Sequence, residues 1–167
     1  LGFLSGNTGL YDRLTAEEMV RYYADLHKMS DTDYQTNKDR LFKLLDMEEF
    51  ANRRIGKLST GMMQKVNIAR TMIHQPEVLV FDEPTSGLDV MTSRSIIQLI
   101  QECKNVGKTV IFSSHRLGEI QLLCDDLAII HQGKLFFNGS YDEFESQKQS
   151  KTVENEFIRL VGEKTDV

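Results

Sequence analysis

Apolar and polar residues follow a different pattern in each half of the chain. In the first half, apolar residues recur at intervals of three and four, which predicts three helices. The first helix follows a capping box formed by Thr15 and Glu18. The second begins near Asp31 or Asp33, and the third begins after Ser59. The first half is therefore predicted to be mostly helical.

Short apolar runs separated by helical segments mark the second half of the chain, after the Gln75-Pro76 breaker. This alternation predicts an α/β sheet covered by helices on both faces. A further strand-like segment stands at the start of the chain, over 1–4. The predicted strands of the second half are 78–81, 109–112 and 127–130, with helices over 90–105 and 117–124, a hairpin arm at 133–137 and a helical tail from Tyr141.

Composition limits the class of protein. The 167 residues are 40% hydrophobic, enough to build a core, and no apolar run approaches the length of a membrane span. A net charge of −5 disfavours a protein whose main task is to grip the phosphates of nucleic acid. The two cysteines, Cys103 and Cys124, lack metal-ligand spacing and fit a reducing, cytosolic setting.

Two carboxylates follow the first buried strand of the second half. Asp82 and Glu83 come directly after the apolar run 78–81, and ligands of open α/β sheets bind at the carboxyl ends of strands. An Asp at this place can hold Mg²⁺, usually through water, and the adjacent Glu can orient or deprotonate an attacking water. Taken alone, the pair is equally compatible with an ordinary strand end that carries solvated acids.

Three further features carry two interpretations each. Ser59 and Gly61 form a small-residue turn that opens a helix, which can hold phosphate oxygens or simply cap the helix. Asp89 ends a turn that leads into a helix, the usual place of an N-cap. His115 follows the second buried strand, where it can bond a phosphate oxygen or a water, or serve a structural role.

The order and spacing of these features resemble the ATP-binding cassette (ABC) ATPases of membrane transporters. The resemblance covers essentially the whole chain and is carried by LSTGM (58–62), FDEP (81–84), SGLD (86–89) and SH (114–115). Two further segments, LYDRLT (10–15) and VENEF (153–157), are similar to the branch that powers ABC-2 type exporters, including sodium and drug exporters.

The resemblance implies a fold and a domain plan. We expect an α/β fold in which a P-loop NTPase-like parallel sheet, incomplete in this chain, carries an inserted α-helical subdomain. Residues 1–167 would form one partial ABC ATPase domain. Its expected parts are a helical subdomain with the signature turn over 15–73, a catalytic α/β core portion over 74–140 and a C-terminal helical extension over 141–167.

The resemblance also implies roles for single residues. Asp82 would hold Mg²⁺ through water, and Glu83 would be the general base for attack of water on the γ-phosphate of ATP. His115 would contact the γ-phosphate and keep that water in line. In this family two cassettes close face to face on two ATP molecules, and the residues expected to contact ATP across that interface are Ser59, Gly61 and Asp89.

Cofactors, partners and location follow from the same resemblance. The cofactors would be ATP and Mg²⁺. The partners would be a second ABC ATPase subunit, identical or different, and transmembrane permease subunits, with no nucleic acid. The protein would sit peripherally at the cytoplasmic face of the cell membrane, as the nucleotide-binding subunit that couples ATP binding and hydrolysis to export. The exported substrate stays open, because specificity lies in the membrane subunits.

The family's phosphate-cradling loop, G-x-x-x-x-G-K-[ST], is the first departure from the pattern. The sequence Gly107-Lys108-Thr109 only imitates it. Glu102 stands where the first glycine belongs, and Thr109 is predicted to open a strand instead of a helix. The chain therefore carries no loop that can wrap the β-phosphate of ATP.

Two other departures concern the Gln-containing loop and the signature turn. Gly6 stands where the loop glutamine is expected, and Asn7 beside it is the remaining polar candidate for a metal contact. In the signature turn, Thr60 and Met62 replace the commoner Gly and Gln, whereas the two phosphate-facing residues are retained. Contact with the metal and coupling to the transporter are the functions that the first of these changes puts in question.

The missing loop and a first residue other than Met lead us to expect a chain cut at its N-terminus. The complete protein would then be an ATPase, whereas these 167 residues alone would bind ATP weakly and hydrolyse it negligibly. The alternative is a complete, non-catalytic interaction module that supplies its signature face in trans. A soluble ABC ATPase of DNA repair or translation is disfavoured, because the acidic chain offers no surface for nucleic acid.

Overall fold

The computed structural model describes residues 1–5 and 9–162. Contacts divide these residues into two units, one over Leu1–Ser114 and one that begins at His115. The predicted subdomain boundaries at 15–73, 74–140 and 141–167 stay predictions. The substitutions noted in the Gln-containing loop, Gly6 and Asn7, lie outside the described residues.

Helices dominate the first part of the N-terminal unit, as predicted. The capping box is present: the Glu18 amide donates to the Thr15 hydroxyl at 3.1 Å, and the Thr15 amide donates to the Glu18 carboxylate at 2.8 Å. Ser30 and Ser59 cap the next two α-helices. The elements are α1 (Ala16–Leu26), α2 (Asp31–Leu44), two short 3₁₀ turns (Glu48–Phe50 and Ile55–Lys57) and α3 (Thr60–Met72).

Helix α3 is anchored at one end and open at the other. It packs against α1, α2 and the first strand of the sheet, and all of its residues from 66 to 72 are buried. Its first turn, by contrast, is exposed at Thr60 and half-buried at Gly61 and Met62. The buried end fixes the direction of the helix, so the capping turn at Ser59 is held in place while remaining accessible.

A three-stranded parallel sheet forms the rest of the N-terminal unit. Its strands β1 (Gly2–Leu4), β2 (Val78–Asp82) and β3 (Thr109–Ser113) lie in the order β1-β2-β3, and α4 (Val90–Asn105) connects the last two. Leu79 pairs with Val110, and Asp82 pairs with Ser113. The parallel sheet with helical crossovers confirms the predicted α/β class.

Only one face of this sheet is buried. Leu4, Leu79 and Phe81 are at most 1% exposed, whereas Phe3 and Ile111 on the opposite face are each 58% exposed. The expectation of a sheet covered on both faces is therefore wrong for the described residues. The reason lies in the strand order: both crossovers step across the sheet in one direction, and right-handed crossovers in one direction place their helices on one face.

The second unit is a hairpin followed by two helices. Its elements are α5 (Leu117–Leu123), β4 (Asp126–His131), β5 (Lys134–Ser140), α6 (Tyr141–Gln147) and α7 (Val153–Gly162). Gln132 and Gly133 both have positive φ angles, of 47° and 72°, as a two-residue turn between twisted strands requires. The predicted hairpin is confirmed. Within the described residues β4 pairs antiparallel with β5, so it does not extend the parallel alternation that its apolar run suggested.

A buried carboxylate organises the end of this unit. Glu156 of α7 is 2% exposed. It accepts hydrogen bonds from Arg159 Nη2 at 2.5 Å and from the amides of Gln149 and Ser150 at 3.1 and 2.9 Å. The Arg159 bond, assisted by those amides, lowers the pKa of Glu156 to about 2 against the opposing effect of burial. The carboxylate therefore ties α7 to the segment that precedes it.

Among the helices of the described residues, none combines the length and the apolar character that crossing a bilayer requires.

Candidate functional site

One hydroxyl group joins the two acids that the sequence singles out. Asp82 and Ser113 are the last residues of β2 and β3, and they lie opposite each other in the parallel register. The Ser113 hydroxyl donates to Asp82 Oδ1 at 2.7 Å and accepts from the backbone amide of Glu83 at 2.9 Å. Asp82 and Glu83 thus lie at the carboxyl end of the sheet and share Ser113, a residue to which the sequence analysis assigns no role.

The backbone turns sharply at Glu83. Its φ angle is +49°, in the left-handed region that residues other than glycine rarely occupy. Such a conformation persists only where its surroundings fix it. Here the amide is held by Ser113, and the carbonyl oxygen accepts from the Ser86 amide at 3.1 Å. These two bonds set the point at which the Glu83 side chain leaves the strand.

The next turn delivers Asp89 to the start of α4. Gly87 has a φ angle of +70°, a conformation that favours glycine. Asp89 caps the helix as expected: its Oδ1 accepts from the Thr92 amide at 2.9 Å, and its Oδ2 accepts from the Thr92 hydroxyl at 2.8 Å. These two bonds from Thr92 lower the pKa of Asp89. The Asp89 side chain is therefore a fixed negative charge at neutral pH.

The signature turn lies directly beside this cap. Ser59 accepts from the Met62 amide at 3.3 Å, and its own hydroxyl proton remains available for a ligand. A Cβ atom at Gly61 would stand 3.4 Å from Thr92 Oγ1 and 3.8 Å from Asp89 Oδ2. The structure thus brings Ser59, Gly61 and Asp89 together, at a helix end whose dipole and free amides favour anions.

A side-chain amide connects the helix of the signature turn to the backbone that follows the two acids. Gln64 of α3 donates from Nε2 to the carbonyl oxygen of Pro84 at 2.9 Å. Pro84 directly follows Glu83, and Gln64 lies in the second turn of the helix that Ser59 caps. The helix that carries the signature turn is therefore tied to the backbone of the residue that follows the predicted general base.

The sequence that imitates a phosphate loop has a structural task. Gly107 has a φ angle of +78° and follows α4, while Thr109 opens β3. Lys108 reaches back from Nζ to the carbonyl oxygens of Pro76 at 2.6 Å and Gln75 at 3.3 Å. This segment ends a helix and starts a strand, which confirms that it is not a phosphate-binding loop.

His115 belongs to the other unit, of which it is the first residue. Its side chain is exposed. The role that the resemblance gives it, contact with the γ-phosphate, stays a prediction.

Asp82 has the properties of a Mg²⁺ ligand in a nucleotide site. The described residues contain no group of three or more His, Cys, Asp and Glu side chains that could hold a metal ion by themselves. Mg²⁺ in nucleotide sites, however, is held by one or two carboxylates together with waters and phosphate oxygens. Asp82 is exposed, and its Oδ2 makes no hydrogen bond within the described part of the chain. Asp82 therefore fits that kind of site.

Comparisons with known proteins agree with this geometry. A family model described as "ABC transporter" matches residues 1–86. The chain is 39% identical to the ABC transporter ATP-binding protein NatA of Bacillus subtilis (strain 168), over 92% of this chain and 62% of NatA. It is 28% identical to the linearmycin resistance ATP-binding protein LnrL of the same organism, over 92% of this chain and 49% of LnrL. The chain thus spans less than two thirds of the length of these curated relatives.

A solved structure of an ATP binding subunit of an ABC transporter superposes with a TM-score of 0.85 and 25% sequence identity. The match covers 96% of this chain and 68% of that chain. It confirms the expected P-loop NTPase-like fold. Since the family model also matches more than half of the residues, the chain belongs to the ABC transporter family, whose members named here are ATP-binding proteins.

Proposed function

We propose that this chain is part of the nucleotide-binding subunit of an ABC exporter, which hydrolyses ATP to drive transport through partner membrane subunits. The observation that carries the proposal is the joint hold of Ser113 on Asp82 and Glu83. This bonding supports the proposal, because Asp82, which fits Mg²⁺, and the backbone of Glu83, whose carboxylate can serve as base, share one partner at the edge where α/β sheets bind ligands. The relatives named for ATP binding and for linearmycin resistance support the same class.

Each residue has one task in the proposed reaction. Asp82 holds Mg²⁺ through water; the ion, when bound, neutralises negative charge on the phosphate oxygens. Glu83 accepts the proton of the water that attacks the γ-phosphate. His115 donates a hydrogen bond to the γ-phosphate and so keeps that water in line. Positioning and charge stabilisation by these side chains account for most of the catalysis in phosphoryl transfer.

The signature turn serves the second nucleotide of a cassette pair. Ser59 and the free amides at the start of α3 donate to the γ-phosphate of ATP on a partner cassette, identical or different. Gly61 allows that phosphate to approach the backbone, and Asp89 lies at the interface beside it. Closure of two cassettes assembles the complete site, which makes hydrolysis depend on dimerisation. The subunit works peripherally, on membrane partners at the cytoplasmic face.

The test is the exchange Glu83→Gln in the full-length protein. Loss of a general base lowers turnover by about 10²-fold or more, whereas ATP binding persists because the side chain keeps its size. The matched control is Glu77→Gln, which neutralises an exposed carboxylate just before the start of β2. Unchanged turnover in Glu83→Gln would remove the base role. A full-length protein that binds no ATP would instead favour the non-catalytic interaction module.

A further inference from the structure

We infer that Ser113 is a positioning residue, which aligns the two acids for catalysis without itself touching the reacting atoms. The inference rests on the proposed function, because it gives Ser113 its role through Asp82 and Glu83. Its basis is a single oxygen atom with two different partners, a carboxylate on one side and a backbone amide on the other.

The direction of the two hydrogen bonds is fixed by chemistry. A backbone amide can only donate, so the Ser113 oxygen must accept from Glu83. The hydroxyl proton is then directed to the Asp82 carboxylate, which in its ionised form can only accept. Ser113 therefore occupies the Oδ1 atom of Asp82. The other oxygen, Oδ2, makes no hydrogen bond within the described part of the chain, so it is the atom that would contact the water shell of a metal ion.

The second bond acts on Glu83. The left-handed conformation at this residue, with φ of +49°, is unfavourable for a side chain that carries a Cβ. The hydroxyl of Ser113 holds the amide on the strand side of this turn, 2.9 Å away. Without that bond the peptide between the two acids is freer to rotate, and the direction in which the Glu83 side chain leaves the backbone is less tightly fixed.

The exposure of Ser113 argues against a purely structural role. The side chain is exposed, and hydrogen bonds of exposed groups add little to folding stability because water replaces them. Loss of the hydroxyl should therefore leave folding nearly unchanged and act on the reaction. If Ser113 only stabilised β3, loss of its hydroxyl would instead lower folding stability and leave the reaction of the folded protein unchanged.

Matched variants separate the hydroxyl from the shape of the side chain. Ser113→Thr keeps the hydroxyl and adds a methyl group that suits a strand, whereas Ser113→Val has the shape of Thr without the hydroxyl. Thr109→Val is the control, because it removes an exposed hydroxyl at the other end of the same strand. All three are made in the full-length protein and compared with the wild type.

Two readouts are measured. In Ser113→Val the kcat of ATP hydrolysis should fall about tenfold or more, the loss expected for a hydrogen bond to a charged group, with little change in KM. Amide hydrogen exchange at Glu83, measured without nucleotide, should become faster in the same variant. Ser113→Thr should restore both values toward wild type, and Thr109→Val should change neither. Thermal unfolding is followed in parallel.

The outcomes are distinct. Wild-type kcat and wild-type exchange at Glu83 in Ser113→Val would overturn the inference, as would equal loss of activity in the Thr and Val variants. If Glu83→Gln is inactive while Ser113→Val is fully active, the proposed function stands and only the role of Ser113 fails. If Glu83→Gln retains wild-type turnover, the proposed function fails, and the Ser113 inference fails with it.

Discussion

The side-chain amide of Gln64 donates a hydrogen bond to the carbonyl oxygen of Pro84, and this bond links the signature helix to the residue after the proposed base. The two residues are 20 positions apart in the sequence. The bond is a direct route by which a movement of α3, such as the proposed partner cassette would cause, would reach the backbone beside Glu83. This single hydrogen bond would be sufficient to couple the helix of the signature turn to the backbone next to Glu83.

The first prediction concerns this link. Gln64→Met keeps the length of the side chain but removes the donor, so the Pro84 carbonyl loses its partner. Turnover of the full-length protein should fall by about threefold to tenfold, the effect of one neutral hydrogen bond, while ATP affinity stays unchanged. Steady-state ATPase assays and nucleotide titration measure the two effects. Gln98→Met, an exposed change on α4, is the control; equal turnover in both variants would contradict the coupling role.

The second prediction concerns Gly61. A Cβ atom there would stand 3.4 Å from Thr92 Oγ1, close enough to touch but not to clash. Gly61→Ala should therefore fold normally and gain up to about 1 kcal/mol of stability from helix propensity. Because the methyl group would hold a phosphate away from the backbone, turnover should drop about tenfold to 100-fold.

Thermal unfolding and ATPase assays together test Gly61→Ala. Gly118→Ala in α5 is its control, since a Cβ atom there meets nothing within 4 Å. If Gly61→Ala hydrolyses ATP at the wild-type rate, the turn does not contact phosphate.

The third prediction concerns Lys108. Its ammonium group bonds the carbonyl oxygens of Gln75 and Pro76, so its task is to hold the start of β3. Lys108→Met should leave ATP affinity unchanged and lower the free energy of unfolding by about 1 kcal/mol. Nucleotide titration and chemical denaturation measure both quantities, with exposed Lys57→Met as the control. A marked loss of ATP affinity in Lys108→Met would show that this lysine serves the nucleotide after all.

The fourth prediction concerns acid stability of the C-terminal unit. The pKa of Glu156 is about 2, below its ordinary value of 4.5. A lowered carboxyl pKa stabilises the folded state fully above the unfolded value, and this contribution is lost as pH falls through the folded value. The amides of α7 should therefore lose protection against hydrogen exchange between about pH 4.5 and about pH 2.

Glu156→Gln tests the same carboxylate at neutral pH. The variant should weaken protection of α7 already at pH 7, and its loss of protection between about pH 4.5 and about pH 2 should be smaller. Glu154→Gln changes an exposed carboxylate on the same helix and should behave like the wild type. Identical exchange in Glu156→Gln and wild type would exclude the buried carboxylate as the cause.

Local signals explain what the sequence could predict. Thr15 and Glu18 lie three residues apart, and this spacing alone predicts the N-terminus of a helix. The apolar run before Asp82 predicts a strand in the same way. The strand that begins at Thr109, directly after Gly107 and Lys108, shows that this segment is not a phosphate-binding loop. Each of these features depends on neighbours within one turn or one strand, which a single sequence displays.

Relations between distant segments explain what was missed. The exposed face around Phe3 and Ile111 depends on the direction in which both crossovers step, which no local pattern reports. Ser113 gains its role only because it stands opposite Asp82, 31 residues away. The sequence signal that could have identified Ser113 is its position as the polar residue that ends the second predicted strand, as Asp82 ends the first. Gln64 offered no comparable signal, because its partner is a backbone carbonyl.

The pairing of Asp82 with Ser113 also has a consequence for folding fidelity. Side chains alternate between the two faces of a strand, so a slip of β3 by one residue would move Ser113 to the other face of the sheet. The hydrogen bonds at the strand ends would then be lost, although most backbone pairing could survive. The hydrogen bonds of Ser113 to Asp82 and Glu83 therefore form only when the two strands are correctly aligned. A chain with misaligned strands would still be folded, but on the proposed function it would not hydrolyse ATP.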